Sequence, residues 1–287
     1  MSLSLLEDVE NYVEQSLKTG RPQQVLESKK QMMERMSEVT AGINNIELQP
    51  KEEADFILIA VTDDDHIIVT ECDGHCVTIL DREGKIVKAL GREGGSGKVK
   101  FSFPCGVAIT PDNFILVSDG NHKIQKISMD GCLIASVGGE EGSEPLQFCD
   151  PYGIAISPIT GQVYIADKFN HRSANGQFLF PRDIAIDSQG LVYVTDRENH
   201  RIQKFSPDGT FVAQFGTEGS GPGQFYGITI DTASTDSLFF TSDGVFVKKF
   251  GSEGNNIDQF NDPCSLAFDK DGFLYVCDFS NNRLVVY

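Results

Sequence analysis

The chain has 287 residues, a formal charge of −18, a sequence pI near 4.6 and no tryptophan. That length holds one large domain and a short appendage. The acidity disfavours the phosphate-backbone attraction behind most nucleic-acid binding, the missing tryptophan argues against the Trp-Asp class of propeller, and no apolar run is long enough to cross a membrane.

Residues 1–50 have a different period from the rest. Val25, Met32, Val39 and Ile46 fall seven apart, and Met36 and Ile43 fill the alternate positions of the seam. This spacing predicts a helical segment and partial coiled coil, with self-association through residues 21–49. An amphipathic helix lying on the following domain is the other reading. Residues 51–55 are a polar link. The N-terminus lacks a basic stretch followed by an apolar core, so a cytoplasmic protein is expected, with no membrane contact and with its seven cysteines reduced.

From residue 56 to 287 a β pattern repeats. The clearest unit runs from Phe180 to Gly216, with four short runs of β-branched and aromatic residues: Ile184–Asp187, Leu191–Asp196, Ile202–Phe205 and Phe211–Phe215. Turn residues fill each gap, so the unit is a small antiparallel sheet. Such a sheet cannot hide its own two faces, and radial repetition is what makes it a fold. The acid ending the second strand recurs as Glu71, Asp119, Asp167, Asp196, Asp243 and Asp278, which predicts six blades of a β-propeller. Blades three and five are shortened: Asp167 to Asp196 spans 29 residues where Asp119 to Asp167 spans 48, and Asp243 leads at once into Val245. The last blade stops after its third strand, and a fourth strand supplied by Phe56–Ile59 is the expected closure.

The pattern Phe-x-x-Pro, then Val192-Tyr193-Val194-Thr195-Asp196, then Asn199-His200-Arg201-Ile202-Gln203-Lys204-Phe205 resembles the NHL repeat. The heptads followed by Pro50-Lys51-Glu52-Glu53 resemble the end of the coiled coil in TRIM-NHL proteins. That resemblance implies recruitment of ubiquitination substrates, or mRNA binding on one propeller face. The chain has no Cys/His cluster of RING or B-box type and no room for a filamin domain between Pro50 and Ala60, which puts ligase activity in doubt and is equally consistent with a fragment of a longer protein.

The glycine-rich stretches Gly91–Gly97 and Gly216–Gly223 precede strands, whereas phosphate-cradling loops precede helices, so they read as inter-blade turns. The Asn-His-Arg tripeptides read as structural, with Asn taking the left-handed turn and the basic residue pairing with the preceding carboxylate. Cys72 and Cys76 flank His75 but lack a second ligand pair, so no zinc site is expected. Asp63, Asp64, Asp65, Asp112 and Asp150 could hold calcium in a lactonase-like hydrolase, although an acidic solvated rim explains them as well. No cofactor, metal or catalytic residue is assigned, and a non-enzymatic interaction module is expected. By position, its protein partner would meet Tyr152, Phe169, Arg182, Arg197 and Tyr226. RNA binding by the propeller face and metal-dependent hydrolysis are the alternatives.

Overall fold

A computed structural model describes residues 56–91, 99–170, 178–219, 224–225, 237–240, 246–250, 254–256, 259–261, 263–268, 274–281 and 283–286. The chain divides into two compact units, Met1–Asn44 with Tyr287, and Asn45–Val286. Every described strand belongs to the second unit. The heptad segment, the linker and Tyr226 lie outside the described residues.

The fold is an all-β propeller. Among the described residues the helical content is two 3-10 turns, Arg197–Asn199 and Phe279–Asn281. The first blade holds β1 (Phe56–Val61), β2 (Ile67–Glu71), β3 (Cys76–Leu80) and β4 (Ile86–Leu90) as an antiparallel meander. The second repeats it with β5 (Pro104–Ile109), β6 (Phe114–Asp119), β7 (Lys123–Ser128) and β8 (Leu133–Gly138). Among the described residues the third has the pair β9 (Pro151–Ile156) and β10 (Val163–Asp167). The fourth is complete, with β11 (Pro181–Ile186), β12 (Val192–Asp196), β13 (Arg201–Phe205) and β14 (Phe211–Phe215). A short parallel pair follows, β15 (Thr217–Glu218) with β16 (Gln224–Phe225), then the antiparallel pair β17 (Ser237–Phe240) and β18 (Phe246–Phe250). The last blade is β19 (Pro263–Phe268), β20 (Leu274–Asp278) and β21 (Arg283–Val286).

Radial stacking follows from the two-residue period of a strand, which aims successive side chains at opposite neighbours. In β2, Ile67 and Val69 join Tyr275, Leu284 and Val286 of the last blade, while Ile68 joins Val107, Ile115 and Val117 of the second. Ile67, Ile68 and Val69 are wholly buried. Each such side chain contributes about 1.5–3 kcal/mol. The innermost strands lie side by side in the order β19, β1, β5, β9, β11.

The expected closure is corrected. Phe56–Val61 is the innermost strand of the first blade and pairs with β2, joined by the short turn Thr62–His66. It does not serve as a fourth strand for the last blade, because pairing within a local hairpin closes a far shorter loop. The first and last blades instead meet face to face, and the Ile59 N–H donates to Ser265 Oγ at 3.3 Å.

Each inner strand carries a bulge near its start, with register breaks at Phe56/Ile59, Pro104/Val107 and Pro181/Ile184. A bulge leaves a backbone N–H without a ladder partner. A hydroxyl one residue before the recurring acid accepts it: Leu58 N–H to Thr70 Oγ1 at 3.1 Å, Gly106 N–H to Ser118 Oγ at 2.6 Å and Asp183 N–H to Thr195 Oγ1 at 2.8 Å. Thr70 then donates to the Cys105 carbonyl at 2.6 Å, and Ser118 to the Tyr152 carbonyl, so the same groups tie each blade to the next. Gly106 is required here, since a Cβ would overlap the Tyr152 carbonyl oxygen.

Candidate interaction face

Among the described residues, recurring acids are structural hubs. Asp196, fully buried, accepts from Leu179 N–H at 2.7 Å, Asn199 Nδ2 at 2.9 Å, Arg201 Nε at 2.7 Å and Gln203 Nε2 at 2.8 Å. Asp278 repeats this with Asn261 N–H at 2.7 Å, Asn281 Nδ2 at 2.9 Å and Arg283 Nε at 2.6 Å. Asp119 accepts from Ser102 N–H at 2.8 Å and Gln125 Nε2 at 2.6 Å, and burial raises its pKa. The tripeptides therefore tie the second strand to the loop entering the blade.

One detail differs from expectation. The left-handed residue of the turn is the histidine and not the asparagine: His75, His122 and His200 have φ of 50°, 62° and 51°. The asparagine amide is occupied by the carboxylate. The turned histidine instead reaches the next blade, where His75 Nδ1 accepts from Phe103 N–H at 3.0 Å and His122 Nδ1 from Asp150 N–H at 3.3 Å. His75 is thus engaged between blades, and all seven cysteines are free.

The same register brings the start of each inner strand to the end of the second, as in Pro104 with Asp119, Pro151 with Asp167 and Pro181 with Asp196. Tyr152, Phe169, Arg182 and Arg197 consequently share one end of the blades. Two of them, Tyr152 and Phe169, are brought together around Lys168, which sequence reasoning missed, and Arg182 joins through Tyr152. Lys168 Nζ pairs with Asp150 Oδ2 at 2.7 Å and lies 4.6 Å from the Phe169 ring centre and 5.5 Å from that of Tyr152. The Arg182 guanidinium covers Tyr152 from another side at 5.2 Å. Phe180 meets Phe169 edge-on at 5.5 Å between ring centres.

Within this cluster Tyr152 is the floor, and burial pushes its phenol well above the ordinary range. Phe169 is the exposed apex, 47% accessible. Phe103, 49% exposed, stacks edge-on with His75 at the same end of the second blade. Phe103, Asp150 and Phe180, each directly before a proline, have φ of 55°, 57° and 53°. A non-glycine residue rarely adopts this conformation, and it aims these side chains out of the strand direction. The recurring residue-before-proline is the sequence signal that could have found them. Arg197 stands on the first 3-10 turn in an ion pair with Glu198 at 3.3 Å.

The acids considered for calcium have separate partners. Asp64 accepts from the Thr62 hydroxyl at 2.5 Å, which with His66 lowers its pKa. Asp65 faces Arg82 at 3.8 Å and Asp112 faces Lys126 at 3.2 Å. Among the described residues no group of three His, Cys, Asp or Glu is placed to hold a metal ion. Deeper in the ring, Asp183 accepts from Ile184 N–H at 2.8 Å, and desolvation pushes its carboxyl up to about 6. No described helix is long and apolar enough to cross a membrane.

The NHL repeat family model matches residues 178–205 and 260–287, the fourth and last blades. A RING finger protein, nhl-1, of Caenorhabditis elegans is 48% identical over 50 residues, 17% of this chain and 5% of that protein. The peptidylglycine alpha-amidating monooxygenase of Rattus norvegicus is 48% identical over 59 residues, 18% of this chain and 6% of that protein. The chain thus spans a small fraction of the curated relatives it matches. A gluconolactonase structure from Xanthomonas campestris superposes with a TM-score of 0.59 at 15% identity, covering 84% of this chain and 87% of that one. The fourth and last blades thus carry the NHL repeat, and the chain as a whole shares the propeller architecture.

Proposed function

We propose that the chain is a non-catalytic interaction scaffold of TRIM-NHL type, a six-bladed propeller that recruits a protein partner in the cytoplasm. Six antiparallel sheets among the described residues support the blade number. The observation that carries the binding reading is the aromatic and cationic cluster of Phe169, Phe180, Tyr152, Lys168 and Arg182, with Phe169 standing 47% exposed at its apex. Rigid aromatics backed by guanidinium groups are what binding hot spots are made of. The partner surface complementary to it is acidic and apolar, and a ubiquitination substrate is the class that the TRIM-NHL resemblance adds. Arg197 extends the proposed face, Tyr226 is a contact proposed from the sequence alone, and residues 21–49 are proposed to supply self-association.

The test uses the full chain as bait beside a Phe169→Ala, Arg182→Ala double variant. A protein captured by the wild type and lost from the variant, at unchanged melting temperature, supports the reading. RNA crosslinking that depends on the same two residues, with no protein captured, would replace it with the single-stranded RNA reading, which must overcome a formal charge of −18. Lactone hydrolysis by the purified chain would replace it with the hydrolase reading, which the gluconolactonase likeness supports at the level of fold.

A further inference from the structure

Blade three ends where its neighbours continue. From Asp167 to Phe178 the chain advances 11 residues, whereas from Asp119 to Phe148 and from Asp196 to Phe225 it advances 29 and holds β7–β8 or β13–β14. Two strands of that length and a turn do not fit the shorter interval.

The packing registers the loss. Four residues before the recurring acid, the second-strand side chain is 0% exposed at Ile67 and Ile115, 4% at Val192 and 7% at Leu274, but Val163 in β10 is 43% exposed. On the flank of blade two the contrast repeats. Leu90, paired with Val77 in β4, is 4% exposed and lies under Gly131 in the β7–β8 turn of the next blade. Val137 has the same place in β8, paired with Ile124, and is 41% exposed, as are its neighbours along the whole strand. Among the described residues β10 pairs with β9 alone.

We propose that this slot receives a β-hairpin of another polypeptide, which adds to the side of β10 away from β9 and completes the blade. A strand supplies the backbone hydrogen bonds that an open edge calls for, and a helix does not. The two missing strands leave β10 recessed by about 10 Å between four-stranded neighbours. A second copy of this chain, recessed in the same way, cannot bring its own β10 into contact. The hairpin face against β8 is apolar, to cover Leu133, Val137 and Val163. Its end beside Asn170 is basic. Asn170 donates to the Gly142 carbonyl at 2.7 Å, within a loop that exposes Glu140, Glu141 and Glu144. The chain's own blade-four hairpin, Arg201 to Gly216, has this chemistry, with a basic start and alternating apolar residues.

The experiment titrates a labelled synthetic peptide of residues 201–216 into the full chain, with hydrogen exchange read at residues 163–167. Saturable binding with new protection of those amides is expected. Val137→Lys and Val163→Lys, at exposed positions and hence with unchanged melting temperature, should each weaken binding about tenfold. Absence of binding up to roughly millimolar peptide, binding without protection of β10, or binding indifferent to both substitutions would each overturn the proposal. So would sedimentation showing that the slot is closed in a dimer of the chain. The Phe169→Ala, Arg182→Ala variant should bind the peptide as the wild type does, which keeps this result separate from that of the aromatic face.

Discussion

Replacing Asp196 with asparagine tests whether the recurring acid is the hub of its blade. The carboxylate is fully buried and takes four donor groups, including an Arg201 guanidinium whose side chain is 22% exposed. Asn keeps one acceptor oxygen but points an NH2 at donors, and it removes the counter-charge of Arg201. A hydrogen bond to a charged group is worth about 1.5–3 kcal/mol, and breaking a buried pair from one side costs about 3–5 kcal/mol. Because water reaches Arg201 in part, a loss near 3 kcal/mol is expected. The assay is urea unfolding followed by circular dichroism at pH 7. Asp130→Asn serves as the control, since Asp130 pairs with Lys88 at 3.0 Å but is 89% exposed, where such pairs contribute little. If the two variants lose the same stability, the hub argument fails.

Asp183→Asn should flatten the pH dependence of stability. Desolvation puts the folded carboxyl at about 6, above its unfolded value near 3.8, so the native state holds the proton longer and stability falls as pH rises between those values. The variant is expected to be more stable than the wild type above pH 6 and no more stable below about pH 4, as read from thermal midpoints across that range. Gly106→Ala should destabilise by more than Ser118→Ala. The first forces a Cβ into the Tyr152 carbonyl, whereas the second leaves the Gly106 N–H and that carbonyl unsatisfied at about 1–3 kcal/mol. Equal midpoints for the two in urea would count against close packing of the second and third inner strands.

The strand runs, their turns and the recurring acids were legible because each depends on neighbours in the chain: alternation sets the two faces, Gly and Pro set the gaps, and Arg201 and Asp196 sit at opposed positions of one hairpin. The short third interval was legible for the same reason, as a matter of spacing between Asp167 and Asp196. Three things depended on the assembled ring. His75 and His122, and not the asparagines, take the left-handed place, because their ring nitrogens meet an N–H one blade away. Phe56–Val61 heads the first blade, because its pairing with β2 is local, and closure comes from blade faces meeting. Lys168 joins Tyr152 and Phe169, and Val137 stands open, because side-chain surroundings at a blade boundary are set by residues distant in sequence. Local periodicity specifies a sheet and its repetition, whereas what one sheet presents to a partner is decided by the sheets beside it.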